Sequence, residues 1–358
     1  MSIKVVIVGG GTGGHLFPGI AVAQEFRERH GAEVVFLTTP KPVTIRILEE
    51  YQLKWEGVSS RAVKGMGLFS RMRAWAGVPG HVWAARQRLK HLKPDLVLGM
   101  GGHASGPVGV AAWTLGISLV IHEQNAIPGL TNRLLGRLAR RVFLSFPDET
   151  GYFPPDRTSW TGNPIRREFF GPAPPRPESP FTVMVMGGSQ GAHHLNVEVL
   201  KALPLLKDHR ERLYFLHLTG EADLELVQNG YTQTGFAAEV ASFTPEVAAW
   251  MKRAHLLVCR AGAGTLAELT ALGRAALLIP YPFAANNHQE MNARFLEKAG
   301  AAEVILNKDF TGELLAGRIE QFLAQPQLLR QMEAASRALA KPDAAREIVT
   351  GCLKLLKD

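Results

Sequence analysis

An apolar run, Ile3–Val8, leads directly into Gly9–His15, which reads GGGTGGH, and then into an amphipathic stretch, Leu16–His30. This is the pattern of a strand, a tight glycine turn and a helix start. It commits the chain to an α/β architecture whose first strand lies inside a sheet. Glycines let the backbone take positive φ and let another body come close to it. The helix that follows directs unpaired N–H groups and the positive end of its dipole at that body. His15 has the only side chain of the turn long enough to give or take a proton at a distance. Gly9, Gly11 and Gly14 fit the G-x-G-x-x-G spacing of nucleotide loops. A dinucleotide site also needs an acid at the end of the second strand to hold a ribose. That strand, Glu33–Thr39, has its acid at its start and ends in Thr38 and Thr39, which argues against NAD. A turn whose glycines serve only strand–helix packing is the competing reading, and it leaves His15 unexplained.

Strand patterns recur at Val34–Thr38, Leu96–Gly99, Leu119–His122 and Val142–Ser145, with helical stretches between them. Such continuous apolar runs predict parallel strands buried on both faces. Ligands of such sheets bind beyond the carboxyl ends of the strands. Three strands end in loops of unusual composition: Gly9–His15, Gly101–Pro107 (GGHASGP) and His122–Asn125 (HEQN). These loops are expected to converge on one edge.

Six prolines between Asn163 and Pro180 mark a linker. A second α/β unit then repeats the opening: a strand at Phe181–Met186, the glycine loop Gly187–Ala192 (GGSQGA) and a helix. Further strands are expected at Leu213–Leu218, Leu256–Cys259, Ala276–Ile279 and Glu303–Leu306, and the tail from Phe310 to Leu356 reads as largely helical. Val258–Glu268 (VCRAGAGTLAE) predicts a buried strand, a small-residue turn and a helix over Thr265–Leu272. Its amides suit a phosphate. Glu268, expected on the first helical turn, suits the two hydroxyls of a ribose or is a solvated acid. Pro280–Asn292 (PYPFAANNHQEMN) offers His288, Gln289 and Asn292 to the hydroxyls of a neutral sugar, or simply caps a helix.

The chain has 358 residues, 46% hydrophobic and 20% charged, enough for two domains with real cores. No apolar run reaches transmembrane length, and the early strand leaves no room for a signal peptide. Cys259 and Cys352 stand far apart, giving neither a disulfide framework nor a zinc cluster, and a cytoplasmic protein is expected. The net charge of +8 points to an acidic partner. Much of it lies in Arg61–Lys93, where eight Lys and Arg are interleaved with Phe69, Trp75 and Trp83 and no acid occurs. That composition suits an anionic membrane surface. A helix pair with solvated charges and a nucleic-acid patch are the alternatives.

Together these stretches resemble the GT-B glycosyltransferases. Within them, the chain is similar to the enzymes that move N-acetylglucosamine from its UDP conjugate to lipid I, making lipid II. Gly10–His15, GGHASGP, HEQN with Pro128-Gly129, GNPIR at Gly162–Arg166, GGSQGA, RAGAGTLAE and NHQEMNA follow in the family's order. The resemblance implies two Rossmann-like domains with parallel sheets facing across an inter-domain cleft. An N-terminal acceptor- and membrane-binding domain would span 1–163, and a UDP-sugar donor domain 164–340. The C-terminal helix, 341–358, would return to the first. It implies donor contacts from Thr12, Gly13, Gly14, Asn125, Arg166 and Ser189, with uracil held by backbone groups at Thr244. Phosphate and ribose contacts would come from Ala263, Gly264, Thr265, Leu266, Ala267 and Glu268, and sugar contacts from Gln289. The family's pattern varies around the helix after Arg260. His15 would be the general base of a single inverting displacement, with Glu123 or His103 next in line. No D-x-D motif occurs, so neither a metal nor another cofactor is expected. The implied partners are UDP-N-acetylglucosamine, lipid I, an anionic inner-membrane surface met by Arg61–Lys93, and other cell-wall synthesis proteins, but no nucleic acid. The implied location is peripheral, on the cytoplasmic face of the cell membrane. Another UDP-sugar transferase and a UDP-N-acetylglucosamine 2-epimerase remain alternatives.

Overall fold

The computed structural model describes residues 3–10, 13–58, 68–149, 151–171, 176, 179–188 and 191–357. They form two compact units, Met1–Arg166 with Pro342–Asp358, and Arg167–Lys341. In the first unit the described strands are β1 (Lys4–Val8), β2 (Glu33–Thr38), β3 (Lys54–Gly57), β4 (Leu96–Gly99), β5 (Ser118–Glu123), β6 (Arg141–Leu144) and β7 (Thr158–Trp160). They pair in the order β3-β2-β1-β4-β5-β6-β7, all parallel. Its helices include α1 (Gly13–His30), α2 (Pro42–Glu50), α3 (Leu68–Leu92), α4 (Ser105–Thr114) and α5 (Leu130–Leu135).

The second unit contains β8 (Phe181–Met186), β9 (Leu213–Leu218), β10 (Ala237–Ala241), β11 (Leu256–Cys259), β12 (Ala275–Leu278) and β13 (Glu303–Val304). Their order is β10-β9-β8-β11-β12-β13, again all parallel. Its helices include α6 (His193–Ala202), α7 (Leu224–Thr234), α8 (Val247–Arg253), α9 (Ala263–Ala271), α10 (His288–Lys298), α11 (Gly312–Ala324) and α12 (Pro326–Ala338). Both sheets are doubly wound, and in each the strand order reverses beside its first strand, where α/β sheets open a crevice.

The alternation of side chains along β1 builds both layers of the first unit. Val5 and Ile7 join Ile20, Phe26 and Phe36 on one face. Val6 and Val8 join Val97, Val108 and Leu89 on the other. The last helix, α13 (Ala344–Lys354), belongs to the first unit and packs on α1 and β6. Ile348, Val349 and Cys352 complete the layer that holds Ile20 and Phe26. Gly351 makes this possible, because a Cβ there would sit 2.5 Å from Phe143 Cζ.

The strands legible as apolar runs are the central ones. β3, β7 and β10 have no such run because they lie at or beside the sheet margins, half-exposed, where fewer side chains must be apolar. Two helix starts differ from expectation. α1 begins at Gly13, so His15 lies on its first turn and not in a loop. α9 begins at Ala263, which places Glu268 in its second turn. Gly262 takes the extended conformation of an N-cap, and small residues after it enter the helix without a side-chain cap.

Candidate functional site

The loops after β1, β4 and β5 meet around His15. The positive-φ loop glycines Gly101 and Gly102 lie against its ring: a Cβ on Gly101 would approach Cε1 to 3.1 Å, and one on Gly102 would approach Cδ2 to 3.5 Å. Gly10, at φ +128°, admits no side chain, since a Cβ would fall 2.1 Å from Thr38 Oγ1. Ser105 Oγ, 2.6 Å from the Gly101 carbonyl oxygen, ties the start of α4 to the same loop.

The proton on His15 follows from its partners. Gln124 Nε2 donates to the Met100 carbonyl, at 2.9 Å, and to His122 Nδ1, at 3.0 Å. Its Oε1 is therefore the atom 3.0 Å from His15 Nδ1. An amide oxygen only accepts, so His15 Nδ1 carries the hydrogen. Nε2, which has no hydrogen-bond partner among the described residues, keeps its lone pair. His122 is wholly buried and neutral, its pKa pushed down to about 4 by desolvation, and its Nε2–H donates to the Gly162 carbonyl at 3.1 Å.

The two alternative bases fare differently. Glu123 is 2% exposed, and both of its oxygens are engaged. Oε1 accepts from the Asn125 amide (3.0 Å) and Asn125 Nδ2 (3.3 Å); Oε2 accepts from the Gly129 amide (3.0 Å) and Asn132 Nδ2 (2.9 Å). It clamps the loop that carries Gln124 and Asn125 and has no lone pair directed at a substrate. His103 is exposed, and desolvation together with His15 and Lys41 lowers its pKa. Gly13 and Gly14 are exposed on the first turn of α1. The Arg166 guanidinium lies 4.8 Å from the centre of the Phe17 ring, two residues beyond His15. Thr12 and Ser189 lie outside the described residues, as do Arg61, Lys64 and Met66 of the basic segment.

In the second unit, three loops are pinned at Ala261. Gln289 Oε1 accepts from the amides of Ala261 (3.2 Å) and Tyr281 (2.9 Å), and Asn292 Nδ2 donates to the Ala261 carbonyl (3.2 Å). Asn292 is fully buried, so its expected role as a sugar ligand gives way to a structural one. Gln289 keeps only Nε2 for a ligand. Arg260, also buried, spans to the carbonyls of Ile279 and Pro280 and to Asn307 Oδ1. On α9 the amides of Ala263, Gly264 and Thr265 precede the hydrogen-bonded ladder and point out of its N-terminus. Leu266 does not share this freedom: its amide donates to the Gly262 carbonyl and its side chain is 1% exposed. Ala267 and Glu268 are half-buried on the next turn. Thr244 spends its hydroxyl on the Glu246 amide (3.1 Å), leaving its backbone for any ligand. The neighbouring Phe243, which the sequence did not single out, is 70% exposed. Among the described residues, no three His, Cys, Asp or Glu side chains come together as metal ligands would.

The family models described as "Glycosyltransferase family 28 N-terminal domain" and "C-terminal domain" match residues 5–144 and 182–348. Over 360 residues the chain is 42% identical to a UDP-N-acetylglucosamine--N-acetylmuramyl-(pentapeptide) pyrophosphoryl-undecaprenol N-acetylglucosamine transferase of Syntrophus aciditrophicus, covering 100% of both chains. The crystal structure of Acinetobacter baumannii MurG superposes with a TM-score of 0.81 at 32% identity, over 98% of this chain and 99% of that one. A UDP-GlcNAc 2-epimerase from Neisseria meningitidis superposes with a TM-score of 0.71 over 98% of this chain and 100% of that one, at 14% identity, a likeness of fold alone. The two doubly wound units are those of the GT-B fold, and the chain belongs to glycosyltransferase family 28.

Proposed function

We propose that the chain transfers N-acetylglucosamine from UDP-N-acetylglucosamine to the 4-hydroxyl of the N-acetylmuramoyl sugar of lipid I, forming the β-1,4 link of lipid II for peptidoglycan synthesis. The observation that carries this reading is the end-to-end likeness, at 42% identity, to the Syntrophus transferase. His15 supports the mechanism, because its open Nε2 lies at the carboxyl edge of the first sheet. Nε2 takes the proton of the 4-hydroxyl while that oxygen attacks C1 of the sugar. The C1–O bond to UDP breaks from the opposite face, its electron pair leaving on the diphosphate, and the anomeric configuration inverts.

On the donor side, family resemblance assigns stabilisation of the diphosphate charge to the amides of Gly13 and Gly14, to those of Ala263, Gly264 and Thr265, and to Arg166. Leu266 and Ala267 are assigned to the donor on family resemblance. Glu268 accepts the ribose hydroxyls, Gln289 donates Nε2 to the sugar, and the Thr244 backbone holds uracil against the exposed Phe243 ring. Asn125, Thr12 and Ser189 are assigned to the donor on family resemblance. Fixed amides and Arg166 perform the charge neutralisation, so chelators leave turnover unchanged.

Attachment to the membrane is peripheral, on the cytoplasmic face. No helix among the described residues is long and apolar enough to cross a bilayer. α3 turns Ala85, Leu89 and Leu92 into the core and leaves Trp83 64% exposed. α4, packed on α3, exposes Trp113, and α5, packed on α4, exposes Leu130 and Leu134. Arg88 of the basic segment is paired with Glu56 at 2.9 Å and is the weaker contributor to lipid contact. Other cell-wall synthesis proteins are expected partners.

Purified chain incubated with labelled UDP-N-acetylglucosamine should incorporate label only when lipid I is present. Conversion of the donor without an acceptor would instead identify an epimerase. His15→Ala should lower turnover by about 10²–10⁴, the usual worth of a general base, with donor affinity kept. Wild-type turnover in that variant removes His15 from the role.

A further inference from the structure

We infer that Gln124 is a positioning residue that selects the reactive tautomer of His15, an inference that rests on His15 being the base. An unrestrained neutral imidazole prefers its proton on Nε2. In that form His15 would present a donor, not a lone pair, to the acceptor hydroxyl. The site therefore has to hold the less favoured tautomer, and a one-directional chain of donors does so. His122 Nε2–H donates to the Gly162 carbonyl, Gln124 Nε2–H to His122 Nδ1, and His15 Nδ1–H to Gln124 Oε1, at 3.1, 3.0 and 3.0 Å. Each link fixes the next. The Gly162 carbonyl can only accept, so His122 must be protonated on Nε2 and bare on Nδ1. His122 Nδ1 and the Met100 carbonyl, 2.9 Å from Gln124 Nε2, are both acceptors, so the amide cannot turn over. Its oxygen is left for His15.

The rest of the pocket keeps the chain from slipping. Gln124 is 2% exposed and His122 is fully buried, so water does not compete for these bonds. Gly101 and Gly102 lie along the His15 ring and limit its rotation. The choice of an amide also has a chemical consequence. A carboxylate at position 124 would fix the same tautomer but would hold a proton on the imidazole by charge attraction. An amide orients the ring without placing a charge beside it. The titratable groups nearest this cluster are His103 and His122, both shifted towards the neutral form, and Lys41 beside His103. Glu123, next in sequence, spends its oxygens on its own loop. After proton transfer the imidazolium still donates Nδ1–H to Gln124 Oε1, so the chain survives the step without rearrangement.

The first test needs no variant. In protein labelled with ¹⁵N-histidine, long-range ¹H–¹⁵N correlation should show His15 protonated on Nδ1 at neutral pH; protonation on Nε2 overturns the inference. Gln124→Met, similar in size but without polar atoms, should move the proton to Nε2. It should also lower kcat by up to the ~10²–10⁴ that a general base supplies, with KM for UDP-N-acetylglucosamine within about twofold. Gln124→Glu should keep Nδ1 protonated and shift the acid limb of the rate profile to higher pH. If Gln124→Met keeps both kcat and the Nδ1 proton, Gln124 has no positioning role. Failure of the base reading is separate: it shows as full turnover in His15→Ala, whatever the tautomer.

Discussion

Glu123 is the residue at which a catalytic and an architectural role can be told apart by one substitution. Glu123→Gln preserves volume and removes the charge. The wild-type carboxylate accepts four hydrogen bonds, two on each oxygen. A glutamine has one oxygen and one NH₂, so one pair of donors must face another donor. The pair on Oε1, at 3.0 and 3.3 Å, is the weaker and is the one expected to be lost. Hydrogen bonds to a charged group are worth about 1.5–3 kcal/mol each, so two losses come to roughly 3–6 kcal/mol. Relief from burying a charge offsets part of this, leaving a net of about 2–4 kcal/mol. For a unit of this size, that lowers Tm by roughly 4–16 °C. Circular dichroism melts give Tm, and turnover is measured well below the transition. The expected result is a clear loss of stability, with turnover reduced by less than the ~10² a missing base would cause. An unchanged Tm together with a loss of turnover beyond ~10² would refute the clamp and make Glu123 the base.

The buried imidazoles His122 and His217 have folded pKa values near 4 and 3, below the ordinary 6.5, because desolvation disfavours their charge. The unfolded chain takes up protons below about 6.5 while the folded chain does not, so stability is full above that pH and is lost as pH falls towards 4 and 3. The slope is about 1.4 kcal/mol per pH unit for each histidine. Urea midpoints measured across this range should fall with acid, and less steeply in His217→Gln; an identical slope would show that other groups dominate. Gln289→Met strips the buried Ala261 amide of its acceptor and should destabilise the second unit by about 1–3 kcal/mol. Gln289→Glu keeps that acceptor but loses the Nε2 donor. By calorimetry it should bind UDP as the wild type does and UDP-N-acetylglucosamine more weakly; equal loss for both ligands contradicts a sugar-side role.

The parts of the fold that were legible in the sequence are those where burial leaves no choice of residue. Val5–Val8 and Leu256–Cys259 are 0% exposed, and only an apolar run can occupy such a place. The margins β3 and β10 admit Lys54, Glu56 and Glu239, so they carry no signal of their own. Glycine loops were legible as candidate sites because the carboxyl edge of a parallel sheet is where ligands go. The partners of their polar neighbours were not. Glu123 and Asn292 have the chemistry of a base and of a sugar ligand, yet the fold turns both inward onto backbone and loop groups. Gln124 drew no notice because an amide acquires a role only through what it touches. Pro18, inside α1, also gave no hint that the helix would begin as early as Gly13.

The docking of α13 against α1 and β6 has a consequence for how the protein is made. The layer containing Ile20 and Phe26 is finished by Ile348, Val349 and Cys352. Roughly 180 residues lie between the end of the first segment and that helix, so at ~5–20 residues per second the nascent first unit waits about 10–35 s with an uncovered apolar face. The second unit is one continuous stretch of chain and can close as soon as it leaves the ribosome. Synthesis therefore inverts the order of the sequence: the domain that starts first is completed last, and its apolar face stays uncovered in the interval.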